Sequence, residues 1–319
     1  MTGDDMMADA AAQSHMPQSW DVTATESKFY WYDLITDFPP APDFRDPLGR
    51  YLRRMQFAIE GTLDKRLIYL LVSRPRLRFD LKRSTSWGFF SLKLTVPLIV
   101  GADQVKETVT IDLKTPEDAT LKKPTVQMFD KFITLNWGSL IETYSVHDLL
   151  QNFDVKLNFP TKVHYVGQTH DPAGRLLKGR LSSVNRIADR NQPDNDNFLL
   201  IQRMNINTFG ARHPMDDGSE VAQEQLLKER MDIIECVLIK YFEDESRKIR
   251  SPREQLARQT RLRNLANSHK LVGLRMNLGL DEEHAFDRLF SDRVPELRKH
   301  VFDCTINQGE TTFKRPEKA

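Results

Sequence analysis

Cysteine is nearly absent. Cys236 and Cys304 are the only two in 319 residues, too few for a disulfide framework or a thiolate zinc site. Cys236 falls in an apolar helical pattern and reads as a small core residue. No apolar run approaches the roughly 18 residues of a membrane span. The acidic start (Asp4, Asp5, Asp9) carries no basic-then-apolar leader. Net charge is scarce too: 46 Lys and Arg face 45 Asp and Glu, a formal +1. That balance excludes a generally basic coat, so contact with a polyanion has to come from a local patch. No Gly-rich phosphate loop occurs, which argues against a nicotinamide or ATP enzyme. What remains is 39% hydrophobic and 29% charged, the composition expected of a soluble, cytoplasmic chain long enough for two domains.

Residues 1–27 are small, polar and rich in Ala and Met, and are expected to be disordered. The aromatic run Phe29-Tyr30-Trp31-Tyr32 predicts a strand packed on both faces, with a base-stacking platform as the alternative. Leu48, Leu52, Met55 and Ile59 recur at helical spacing over 46–60. Strands are predicted at 67–72, 91–96 and 107–113, the last two from period-two alternation. Arg74, Arg76, Arg78, Lys82 and Arg83 form either a solvated strand face or a phosphate track. Segments at 124–151 read as helix or loop. A hairpin is predicted from Val155-Lys156-Leu157-Asn158-Phe159 into 163–167, with a third strand at 198–204. Leu227, Met231, Ile234, Leu238 and Tyr241 mark the best helix, over 219–242. Across 247–263 seven Lys and Arg face one acid, Glu254.

Chemistry concentrates at 163–175. Val163-His164-Tyr165-Val166 reads as a short strand, and Gly167 lets a neighbour approach its backbone closely. Asp171 and Pro172 form a helix start, and Arg175, one turn in, points back toward the strand end. A phenol and a guanidinium are thus aimed at one spot, and a free guanidinium fork suits phosphate. On the same strand, period two sets His164 on the face opposite Tyr165, a structural position.

Tyr165-Val166-Gly167, with Arg175 at the usual offset and Glu235-Cys236-Val237-Leu238-Ile239-Lys240 60 residues later, resembles the GIY-YIG nuclease core. About eleven residues before Tyr165, where that family places another tyrosine, Phe153 is the only aromatic, and the later Pro-x-Tyr-Asn is replaced by Phe242-Glu243-Asp244-Glu245. Over roughly residues 150–247 the resemblance implies a GIY-YIG-like domain (151–247) with a small three-stranded antiparallel sheet flanked by helices; the patterns around it add a β-rich N-terminal domain (28–150), a basic helical extension (248–304) and a tail (305–319), an α+β fold overall. The resemblance also implies a metal-dependent DNA endonuclease in which Tyr165 orients or deprotonates water, Arg175 binds phosphate and Glu235 holds Mg²⁺ or Mn²⁺. A single carboxylate, with water and phosphate oxygens completing the shell, suits Mg²⁺.

Each residue also has a plainer reading. Glu235 could be half of an ion pair with an arginine, Tyr165 a core residue and Arg175 a helix-surface residue. His170 could reach a phosphate or act as a general acid. Lys178, Arg180, Arg186, Arg258, Arg261 and Arg263 could contact DNA or simply be solvated. The competing function is a catalytically inactive module of the same kind that binds nucleic acid or a protein partner, the latter through the N-terminal domain. No membrane association is expected.

Overall fold

The computed structural model describes residues 17–36, 46–60, 67–155, 157, 159–169, 194–210, 219–243, 249–279 and 288–315. Its first element, β1 (Gln18–Trp31), buries Trp20, Val22 and Ala24 at period two. Residues 18–27 are therefore strand, which overturns the disorder expected for them; residues 1–16 lie outside the described residues. A short helix, α1 (Tyr32–Thr36), and α2 (Pro47–Glu60) follow, the latter where apolar periodicity predicted it. The first seven residues of β2 (Leu67–Pro75) are all buried, as in a strand covered on both faces.

Residues 76–160 then leave the sheet. They carry β3 (Leu77–Phe79), β4 (Ser86–Trp87), β5 (Lys93–Val100) and β6 (Val105–Asp112) in one small sheet. A second holds β7 (Thr125–Met128), β8 (Phe132–Asn136) and β9 (Ile141–Ser145). The helix α3 (Val146–Asn152) follows, capped where the Asp148 N–H donates to Ser145 Oγ at 3.1 Å. Asp196 ties this excursion to the main sheet. Its carboxylate accepts from the Leu77 N–H (2.9 Å), the Arg78 guanidinium (2.7 Å) and His147 Nε2 (2.8 Å).

The chain returns as β10 (Thr161–Thr169) and β11 (Asn195–Phe209), then α4 (Glu220–Phe242) and α5 (Pro252–Ser268). It ends with β12 (Leu271–Asn277), β13 (Leu289–Phe290), β14 (Val301–Asn307) and β15 (Glu310–Lys314). The main sheet has eight strands in the order β13-β10-β2-β11-β1-β12-β14-β15. It is mixed: β1/β12 and β10/β13 run parallel, the other neighbours antiparallel. This overturns the expected small three-stranded sheet. Between β10 and β11 lies β2, and β1 flanks β11 on its other side, both from the N-terminal half, while 305–314 is hairpin rather than tail. Val155, Leu157 and Phe159 are not in a strand, and the region beyond α5 is largely strand.

From Met231 to Ile239 every residue of α4 is buried, so this helix is enclosed on all sides. Near one sheet edge it packs on β10. Near the other, Tyr241 stacks on Phe302 of β14 at 3.8 Å and meets Phe313 of β15 at 5.4 Å. The sheet thus curls around α4. Among the described residues no helix is long and apolar enough to cross a membrane.

Candidate functional site

Tyr165 lies on β10, buried and in register with Leu71 of β2; Gly167 stands opposite Tyr69. The two phenol rings stack with centroids 6.0 Å apart and planes 28° apart. A Cβ on Gly167 would fall 2.5 Å from Tyr69 Cζ and 2.6 Å from Oη. Only glycine lets that ring lie across β10. Tyr69 was invisible to local spacing because it stands 96 residues before Tyr165, with the whole 76–160 excursion between. The one signal for it was a tyrosine inside the apolar run of β2. His164 sits 2.7 Å from Ser73 Oγ through Nε2, in keeping with the structural reading.

Among the described residues the outer edge of β10 pairs with β13 at Thr161 and Lys162 and with no other strand. Beyond that, two side chains take the place of a strand. Glu243 Oε1 accepts the Val166 N–H at 2.8 Å, and Arg250 Nη2 donates to the Val166 carbonyl. Arg250 and Glu243 are joined by two bonds of 2.7 Å. Burial alone would lower the Arg250 pKa, but bonds to Glu243 and that charge outweigh it and hold the guanidinium ionised. The same guanidinium lies 4.2 Å over the Tyr165 ring and donates to its Oη at 3.3 Å. A capping box from Ser251 and Glu254 fixes the chain directly after Arg250.

On α4, Asp232 and Glu235 face α5. Asp232 accepts from Gln168 of β10 and from Arg261. Glu235 Oε1 lies 3.1 Å from Arg258 Nη1, the carboxylate side chain 9% exposed and the arginine 29%. Glu235 therefore sits in the ion pair of its plainer reading, and two of the arginines expected on DNA face the protein's own acids. Arg263 is exposed on α5. The groove between α4 and α5 is lined by Cys236, Glu243, Arg250 and Arg258 among others. Burial, then the Glu235 charge, push the Cys236 thiol up to about 12, so it is inert at neutral pH.

Alternation along β10 sets Tyr165 and Gly167 on the face opposite Gln168, which reaches Asp232. The described contacts join Tyr165 to Glu243 through Arg250, and Glu235 to Arg258. Glu235 and Glu243 are two turns apart, about 12 Å along the helix axis. Among the described residues no three His, Cys, Asp or Glu form a metal-binding group. A Mg²⁺ ion that keeps its waters needs only one carboxylate. Glu235 fits that requirement in kind, with the partly exposed Arg258 guanidinium standing as its present countercharge. Arg175, His170, Lys178, Arg180 and Arg186 lie outside the described residues. Comparison with family models, with curated proteins and with solved structures gave no match.

Proposed function

We propose that the chain is a metal-dependent endonuclease of GIY-YIG type acting on DNA. The observation that carries this reading is the pair of stacked phenols, Tyr69 and Tyr165, seated over Gly167 on adjacent strands. It puts a second tyrosine beside Tyr165, where the local sequence offered only Phe153. Because Arg250 donates to Tyr165 Oη, the phenol proton is left to point elsewhere, toward a water or an anionic oxygen. Tyr69 and Tyr165 would orient that water, and Arg175 would bind the phosphate. Glu235 lies across β10 from the two phenols, on the Gln168 and Asp232 side; it would hold Mg²⁺ from that side, and the ion would supply charge stabilisation at the phosphoryl oxygens when bound.

Replacing either tyrosine by phenylalanine keeps the ring stack and removes one hydroxyl. Each variant should melt within a few degrees of the parent and lose roughly a hundredfold in cleavage rate, the usual scale for a positioned proton-transfer group. Unchanged cleavage in both would exclude the phenols from the chemistry.

A second reading has its own support. Glu235 already has a cationic partner in Arg258, as in a module that binds nucleic acid without cutting it. DNA retention without cleavage in any divalent ion would favour that reading.

A further inference from the structure

A cleft of about 250 Å³ opens between the end of β1, α2 and the β9–α3 junction. Five aromatic residues line it: Phe29, Tyr30, Trp31, Tyr51 and Tyr144. They are fixed by contacts of their own, Phe29 against Phe198 at 5.9 Å among them. Tyr51 packs edge-on against Phe132 at 5.2 Å, and Tyr144 against Phe153 at 5.9 Å while its hydroxyl donates to Glu142 at 2.8 Å. At the rim stand one carboxylate, Asp148, one guanidinium, Arg54, and one amide, Asn152. Arg54 is held in place by donating to the Thr143 carbonyl at 2.9 Å. Burial, and then the Asp148 charge, push the Tyr51 phenol well above its usual range. It stays a neutral wall at any physiological pH.

The shape and the charge of this cleft select its ligand. The volume is below the roughly 300–1,000 Å³ of clefts for drug-sized molecules, so one flat ring system fits better than a larger ligand. Aromatic walls favour a π-face. One acid and one base cancel, so the site favours a neutral molecule over an ion. Asp148, which already accepts from the Tyr51 hydroxyl, has lone pairs left for further donors, and Arg54 and Asn152 call for acceptors. A nucleobase has all of these properties. Guanine answers best, because its N1–H and N2–H₂ can both donate to one carboxylate while O6 accepts.

We propose that this cleft binds a single nucleobase, with guanine preferred. The proposal does not depend on phosphodiester cleavage, since the cleft shares no lining residue with Tyr69, Tyr165 or Glu235. A chain that cuts nothing could still hold a base here.

The test is calorimetric titration of the full chain with guanosine, adenosine, cytidine and uridine. Guanosine should bind most tightly. Asp148→Asn keeps the side-chain shape and should weaken guanosine about tenfold, as for loss of a charged hydrogen bond, with little effect on adenosine. Ala58→Leu changes an exposed α2 residue that lines the cleft, and should remove binding of all four. Melting curves of each variant confirm folding, and if Asp148→Asn melts early the Ala58→Leu result decides. No heat with any nucleoside at millimolar concentration would overturn the proposal. So would guanosine binding that survives both substitutions.

Discussion

Asp196 and Glu235 are both buried carboxylates facing arginine, yet their surroundings differ. Asp196 is fully enclosed and accepts from a backbone N–H, a guanidinium and an imidazole. Burial would raise its pKa, but His147, Arg78 and the Leu77 N–H overcome that and hold it below the usual carboxylate value. Glu235 has one arginine, itself 29% exposed. The first is anchored from every side and pins the 76–160 excursion to the sheet. Among the described residues the second has one partner, partly exposed to solvent, so its charge is balanced from one side.

Asp196→Ala should break that contrast most severely. It strands His147 and the Leu77 N–H and takes from Arg78 its buried partner, leaving Asp130 at 3.2 Å and the Leu77 carbonyl, and should cost about 3–5 kcal/mol in urea unfolding. Acid should act the same way: with the folded pKa depressed, the stabilisation from Asp196 is present above its unfolded value and lost as pH falls through the folded one.

His300 sharpens the contrast from the other sign of charge. Burial, chiefly, depresses its pKa to about 4, and it is 1% exposed, with Nδ1 3.1 Å from the Tyr241 hydroxyl and Nε2 2.9 Å from the Leu289 carbonyl. As pH falls below about 6.5 the unfolded chain takes up a proton that the folded one refuses until about 4. Stability should therefore drop across that window, by about 3 kcal/mol from this group. His300→Gln should flatten the melting temperature over the same interval; an unaltered slope would show that His300 is not the group responsible.

Gly167→Ala should cost about 1–3 kcal/mol, because the buried Tyr69 ring has to move, and cleavage should fall with it. Glu235→Gln should cost far less than Asp196→Ala, about 1–2 kcal/mol, because the buried carboxylate it replaces has a partner that water can still reach.

The long α4, the burial of β2 and the β5/β6 pair were legible because helical and period-two patterns are local. The partner of β10 was not. Hydrogen bonding across the sheet reaches back to Tyr69 over an excursion of some 85 residues, and counting back from Tyr165 finds only Phe153. An acid on a buried face needs a partner, and the sequence left metal and arginine both open for Glu235; that the partner is Arg258 depends on how α5 packs. Arg250 and Glu243 escaped notice because their role is to replace a missing strand at the edge of β10, and no periodicity encodes a missing neighbour.

The most direct test compares wild type and Glu235→Gln on supercoiled, linear and branched DNA with and without Mg²⁺, together with melting curves of the same preparations. Mg²⁺-dependent cleavage is expected of the wild type, falling by at least two orders of magnitude in a variant that melts within a few degrees of it. A wild type that cuts no DNA form, or a variant that cuts as fast as its parent, would contradict that expectation.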